Sequence, residues 1–599
     1  MPALISEREL EFLLYEFLDC ESLPRRARYA EHSRESFAAV LDLARHLANE
    51  YFAPHYASGD ERPPVFREGK AEVIAETSAA WKAFAEAGFA GAHWDSEEGG
   101  LQLPEAIFRA AMALFFCANV ATATYPFLTI AAANLLRRFG TPEQKRLYLE
   151  PLGNGRFAGT MALTEPAQGS SLADIKTTAR RAPDGTFRLF GQKMFISGGD
   201  QDFTENIVHM VLARIDGSAP GAKGISLFLV PKFVPDESGR FVERNDVALA
   251  GLLHKMGWRN TTSTVLSFGD ERGATGYLLG AEGEGLAQMF SMMNEARIGV
   301  GLMSASLAYS GFTESLAYAR ERRQGRVPSR KDARAEQNML VEHADIRRQL
   351  LAQKVYSEGS LALCLYASSL FEDQQTHPDA AQRAKAALLL DVLTPVVKSW
   401  PAKYGCRSND IAIQVLGGAG YTRDFPLEQL YRDQRLNPVH EGTEGIQALD
   451  LLGRKVSMQN GAGLTSLCAA VRAAIEAARA VPALSLPARS LDGAVVALEG
   501  ATRRLNDLKR DHVDLAQANA TVYLDVFGAV VMGWVWLKQA LVAFERRRAC
   551  EDAALRDYYD GKVHAARYYF DWELPVVLSQ LPLVNAPSPI PFEMRSEWF

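Results

Sequence analysis

The chain has 599 residues, 48% of them hydrophobic and 23% charged, a composition of soluble globular domains that excludes a disordered or fibrous chain. A formal net charge of −7 argues against a protein that neutralises phosphates along a nucleic acid. Six cysteines at 20, 117, 364, 406, 468 and 550 have no C-x-x-C spacing, and the 11 histidines include no H-E-x-x-H pair. Reduced, mostly buried thiols and no metal centre are expected.

The length sets a soft expectation of about four domains. Residues 1–19 carry four Glu and one Asp, so they read as neither a signal nor an Arg-rich transit peptide, and a cytoplasmic setting is expected. Residues 1–156 read as helical. The stretch 9–19 (ELEFLLYEFLD) is amphipathic, and 36–51 repeats the helical period. Thr141-Pro142-Glu143-Gln144 is a helix start, with Thr141 as cap, Pro142 in the first turn and Gln144 completing a capping box. The glycines of 87–100 mark a loop in which Trp94 is either structural or pocket-lining.

Residues 157–275 switch to a period of two. A hairpin is predicted from 177–181 and 186–190 around Pro183-Asp184-Gly185, with further strands at 207–213, 225–230 and 263–268. Helical patterning returns over 276–458, with long runs at 287–320, 345–371 and 381–413 around a charged surface loop at 324–344. Residues 459–464 (QNGAGL) read as a linker, and 465–599 as a further helical domain with a Pro-rich tail. Within it, 526–537 is uncharged for 12 residues, short of the roughly 18 of a membrane span, so a buried core helix is expected. The fold class is therefore mostly α with an inserted β domain.

Four short motifs carry the chemistry. Residues 416–447 hold Leu416-Gly417-Gly418-Ala419-Gly420-Tyr421, then Arg432-Asp433, then Glu441-Gly442-Thr443. A lone Glu before Gly-Thr at a helix start reads first as a capping residue. Here it is accompanied by Met161–Lys176 (MALTEPAQGSSLADIK), Gly191–Ser197 (GQKMFIS) and Lys255-Met256-Gly257. In letters, spacing and order these resemble the signatures of the acyl-CoA dehydrogenase family. With both terminal extensions, the chain resembles the family's longer bacterial subgroup, which includes 3-methylmercaptopropionyl-CoA and fatty acyl-CoA dehydrogenases.

The resemblance implies a helical domain, a β-barrel-like middle domain and a four-helix bundle, here with an additional helical domain. It also implies bound FAD, an acyl-CoA substrate, α,β-dehydrogenation to the 2-enoyl-CoA and electron-transfer flavoprotein as acceptor. Glu441 matches the α-proton base, a role that burial suits by raising a carboxyl pKa. Glu444, three residues on, matches no functional position. Glu295, one step from the residue preceding Arg297, is the weaker rival.

By the same resemblance, Met161, Leu163, Thr164, Gly169, Ser170, Phe195, Ile196 and Ser197 contact the flavin, although Leu163 and Ile196 suit a β core nearly as well. Phe195 replaces a frequent Trp, and Ser171 replaces the usual Asp. Arg322, with Arg323 as competitor, matches the pyrophosphate-binding Arg. Gln414, Gly417 and Gly418 match contacts from a neighbouring subunit, so a homodimer is expected, and Thr443 matches an adenosine contact. Ser170, Asn294, Arg297 and Gly442 match the substrate side.

An acyl-CoA oxidase shares this flavin site and is the alternative within the enzyme class. A nucleic-acid-binding role for the last domain is disfavoured by its balance of 15 Lys+Arg against 16 Asp+Glu over 461–599. Membrane docking is disfavoured by the lack of a strongly basic amphipathic segment.

Overall fold

The computed structural model describes residues 2–329 and 332–599. One compact unit gathers Glu35–Pro104 and Leu114–Ala296 around an eight-stranded sheet. Its strand order is Val247–Leu252, Ser263–Phe268, Phe187–Ser197, Ala274–Leu279, Ile225–Pro231, Asn206–Ile215 and Phe157–Ala162, and Thr178–Arg181 pairs with both Phe187–Ser197 and Asn206–Ile215. The predicted hairpin is present, with Thr178 opposite Phe190 and Arg181 opposite Phe187. Asp184 fixes its turn by accepting from the Thr186 N–H at 2.9 Å. Asn206–Ile215 and Ile225–Pro231 are buried along almost their whole length, so they read as continuous apolar runs with little alternation. Phe157–Ala162 forms one edge of the sheet, parallel to Asn206–Ile215.

Helices cover this sheet. The capping box at Thr141 forms as predicted: its hydroxyl accepts from the Gln144 N–H at 3.2 Å, and the Gln144 carbonyl oxygen accepts from the Thr141 N–H at 2.9 Å. Trp94 is buried in the same apolar core as Leu136 and Leu152, which gives it a structural role. The Glu105–Phe139 helix is interrupted at Asn119 (φ −165°, ψ 91°), whose side chain accepts from Thr122 N–H at 3.1 Å and so restarts the helix.

The second unit gathers Ala3–Arg34, Glu105–Ala113 and Arg297–Phe599. Its first layer comes from the long helices Gly285–Glu321 (from Arg297 on), Ala344–Thr376 and Ala380–Leu416, with the short helices Leu427–Gln434 and Glu444–Asp450. The second layer comprises Ala462–Arg479, Ser485–Leu508, Ala520–Ala549 and Ala553–Tyr568. The loop before Ala344–Thr376 is pinched by backbone hydrogen bonds from Gln324 N–H to Asn338 O (2.9 Å) and from Leu340 N–H to Arg322 O (2.8 Å). Residues 330 and 331 of the loop expected at 324–344 lie outside the described residues.

The predicted linker narrows to Gln459, Asn460 and Gly461, all left-handed (φ 50°, 56° and 77°), after which Ala462–Arg479 begins. The uncharged 12-residue run lies inside Ala520–Ala549, a longer apolar helix than the run alone implies. Among the described residues two helices are long and apolar enough to cross a membrane, Glu105–Phe139 and Ala520–Ala549, and their most apolar windows are 100% and 83% buried within the protein. Gly528 permits close packing there, since a Cβ at that position would sit 2.8 Å from the Trp400 ring.

The N-terminal segment is helical over Glu7–Glu11 and continues as a wider turn over Phe12–Phe17. It is anchored by Glu9, which accepts from the buried Lys562 ammonium at 2.6 Å.

Candidate functional site

In the first unit, the candidate flavin residues converge at one end of the sheet. Met161 is the penultimate residue of the edge strand, and Leu163 and Thr164 follow its end, all three partly exposed. The Thr164 carbonyl accepts from Met194 N–H at 2.9 Å, and the Leu163 carbonyl accepts from Lys193 Nζ at 3.0 Å. These bonds set Leu163 and Thr164 beside Lys193-Met194-Phe195.

Phe195 is the unusual residue here. It sits in the left-handed region (φ 60°) and is 63% exposed. A bulky residue held there carries strain of order 1 kcal/mol, which tertiary context must impose. Ile196 points inward and joins the β core with Leu266 and Phe268. Its backbone carbonyl accepts from the Thr264 hydroxyl at 2.9 Å. Ser197 pairs with Ser263 across the sheet. Half-exposed thioether and leucine side chains, an outward phenyl ring and the Thr164 hydroxyl make an apolar surface with a polar margin. A flat tricyclic ring with a hydrogen-bonding edge fits such a surface.

Gly169 and Ser170 lie in an exposed loop held from behind by Glu165. The Glu165 carboxylate accepts from Lys176 N–H (2.7 Å), Thr177 N–H (2.9 Å), the Thr177 hydroxyl (2.6 Å) and Lys193 Nζ (3.0 Å). Burial pushes its pKa up, but Lys193 and these donors outweigh burial and leave it lowered. Asn294 is half-buried. Glu295 is buried and accepts from Asn134 Nδ2 at 2.8 Å, so this rival carboxylate is already engaged.

In the second unit, Glu441-Gly442-Thr443 forms a strained turn into the Glu444–Asp450 helix. Glu441 is left-handed at φ 51° and Gly442 at φ 87°. A Cβ on Gly442 would lie 2.6 Å from Gln447 Nε2, so only glycine fits. Gln447 Nε2 donates to the Glu441 carbonyl at 3.1 Å, and Lys398 Nζ donates to the Gly442 carbonyl at 2.6 Å. Thr443 caps the helix, its hydroxyl accepting from Ile446 N–H.

Desolvation raises the pKa of Glu441, while the charges of Lys398 and Arg297 pull it back. Arg297 itself is buried and paired to Asp450 at 2.7 Å, its Nε left without a partner. Glu444 is partly exposed and bound by Lys403 at 2.9 Å. It is a structural ion-pair member.

A second cluster of this unit lies at the end of Ala380–Leu416. Gln414, Gly417 and Gly418 are exposed there beside Tyr421, which is 86% exposed. The Tyr318 and Phe425 rings pack edge to face at 5.5 Å, setting this turn beside the end of Gly285–Glu321, where Arg322 follows. Arg322 is exposed. Arg323 is engaged, donating to Gln337 O at 2.6 Å and pairing with Glu336.

The sequence motifs include Lys193, within Gly191–Ser197, but assign no role to it, and they do not reach Lys398. Each had a faint signal: Lys193 occupies a strand position where the pattern calls for an inward apolar side chain, and Lys398 interrupts an apolar helical run, LTPVVKSWPA.

Comparison with known proteins agrees with the motifs. Residues 34–156, 160–270 and 283–456 match the N-terminal, middle and C-terminal domains of acyl-CoA dehydrogenase, and residues 467–594 match the domain described as acetyl-CoA dehydrogenase C-terminal like. The chain is 34% identical to the 3-methylmercaptopropionyl-CoA dehydrogenase of Ruegeria pomeroyi over 455 residues, 76% of each chain. It is 31% identical to the broad-specificity linear acyl-CoA dehydrogenase FadE5 of Mycobacterium tuberculosis over 591 residues, 96% of each.

In fold it is similar to an FAD complex of acyl-CoA dehydrogenase from Bacillus anthracis (TM-score 0.72, 19% identity, 93% of each chain). It is likewise similar to ACDH-11 of Caenorhabditis elegans in complex with C11-CoA (TM-score 0.71, 20% identity, 97% of this chain and 95% of that one). The chain belongs to the acyl-CoA dehydrogenase family. Family membership carries the reaction class: it is an FAD-dependent oxidoreductase acting on an acyl-CoA thioester.

Proposed function

We propose that Glu441 is the base that removes the α-proton of the bound acyl-CoA. The observation that carries this reading is the left-handed turn at Glu441 and Gly442, held in place by Lys398 and Gln447, which sets a partly buried carboxyl whose pKa desolvation raises. A carboxylate with a raised pKa is a stronger base near neutral pH than a solvated one. The N–H of Glu441 is assigned to the thioester carbonyl, where charge develops as the proton leaves. Arg297, Asn294, Gly442 and Ser170 are assigned to the CoA thioester side.

When bound, FAD supplies the two-electron acceptor for the β-hydride. Met161, Leu163, Thr164 and Phe195 would line its ring, with Ile196 and Ser197 supporting from the sheet and Gly169 and Ser170 from the loop. Arg322, whose neighbour Arg323 is engaged elsewhere, would reach the pyrophosphate. Gln414, Gly417 and Gly418 are assigned to the cofactor of a neighbouring subunit, as is the Arg322 contact, and Thr443 to the adenosine side. The exposure of Gln414, Gly417, Gly418 and Tyr421 supports a homodimer. Electron-transfer flavoprotein is proposed as the acceptor, and the six free cysteines suit a reducing cytoplasm.

Anaerobic titration of the FAD-loaded protein with acyl-CoAs of graded chain length tests the reaction. Bleaching of the flavin absorbance by at least one saturated acyl-CoA is expected. Its absence with every chain length would overturn the assignment.

A further inference from the structure

Lys398 has no surface exposed to solvent. It sits midway along Ala380–Leu416 between Val397 and Ser399, with Val396 and Trp400 buried on either side. An ammonium group in such a place carries a desolvation cost of several kcal/mol unless it is compensated. Two groups offset it. Its Nζ donates to the Gly442 carbonyl at 2.6 Å, and its charge acts on Glu441, the residue before.

We propose that Lys398 is a positioning residue for the base, fixing the Glu441-Gly442 turn through the Gly442 carbonyl and holding the Glu441 carboxylate ionised by its charge. This rests on Glu441 being the base. The Gly442 carbonyl asks only for an N–H donor, so the structural part of the role needs no charge. The charge matters because Glu441 is desolvated, and desolvation alone drives the carboxyl towards its protonated form, in which it cannot accept a proton.

From Gly285–Glu321, Arg297 also favours ionised Glu441, but its guanidinium is committed to Asp450 at 2.7 Å. From Glu444–Asp450, Glu444 is bound by Lys403, which also pairs with Asp525 at 2.7 Å. His440, beside the base, is kept neutral: burial, with Lys398 next, lowers its pKa to about 3. Burial lowers Lys398 itself to about 8, with Glu441 opposing, so it remains mostly charged at neutral pH. Among the described residues, of the two cations that act on Glu441, Lys398 is thus the one not paired to another carboxylate.

The test uses the FAD-loaded enzyme with Lys398→Met and Lys398→Gln, the second keeping an N–H donor for the Gly442 carbonyl. Two readouts are taken: the acid limb of the kcat/KM profile, and the protonation of Glu441 followed by infrared absorption of its carboxyl group, assigned with Glu441→Gln. Loss of the charge raises the Glu441 pKa, so both should move to higher pH by about one unit in both variants. If Lys398→Met does not fold, Lys398→Gln must show the same shift.

Folded, FAD-bound variants that titrate as the wild type does would overturn the proposal and leave Lys398 a structural donor only. Turnover retained in Glu441→Gln would instead overturn the base assignment. The two failures are therefore separable.

Discussion

Lys193 Nζ lies 3.0 Å from Glu165 Oε1, and both side chains are buried. This pair ties the strand that ends in Phe195-Ile196-Ser197 to the loop that carries Gly169 and Ser170. Removing one partner of a buried pair strands the other charge, which costs about 3 kcal/mol or more. Lys193→Met should therefore lower the thermal midpoint, read by calorimetry. It should also release FAD on dilution, read by recovery of flavin fluorescence. A variant that keeps FAD as tightly as the wild type would show that the loop is held by its backbone alone.

Lys562 holds two carboxylates at once, Glu9 at 2.6 Å and Glu358 at 2.8 Å, all three fully buried. Tyr558 adds a hydrogen bond to Glu9 at 2.7 Å, and Lys354 pairs with Glu358 at 2.5 Å. Lys562→Met leaves Glu9 facing Glu358 without its cation. A loss of about 3–5 kcal/mol in denaturant unfolding is expected. Limited proteolysis should then cut the N-terminal segment before the rest of the chain.

His209 predicts a pH dependence of stability. It is fully buried in the sheet with Nδ1 2.7 Å from the Thr160 hydroxyl. Burial first, and then Lys232 and Arg244, lower its pKa to about 3. In the unfolded chain a histidine takes up a proton near pH 6.5. Between these values the unfolded state binds the extra proton, so stability is complete above about 6.5 and falls as pH drops towards 3. The slope approaches about 1.4 kcal/mol per pH unit. Calorimetry at pH 7, 6 and 5 should show the midpoint falling, and His209→Gln should flatten that fall.

Most of the fold was legible because its periods are local. The 178–197 hairpin, the Thr141 capping box and the three long helices after residue 285 follow from turn chemistry and a 3.6-residue repeat. The strands Phe157–Ala162 and Ala274–Leu279 were hidden because neither has a clear alternation between turn signals. The break at Asn119 was hidden inside an unbroken apolar run. The Glu9–Lys562 contact joins residues more than five hundred positions apart, and no local pattern encodes it.

At the candidate site the motif letters located Glu441 and the flavin loop. They did not reveal what holds them, since Glu165, Lys193 and Lys398 act through buried charges whose partners only the folded chain brings near.

The most direct measurement is anaerobic reduction of FAD-loaded Glu441→Gln by an acyl-CoA that reduces the wild type. FAD and the acyl-CoA should both still bind, while bleaching of the flavin slows by at least about a thousandfold, about 4 kcal/mol of barrier. Bleaching within about tenfold of the wild-type rate would contradict this and move the base to another residue.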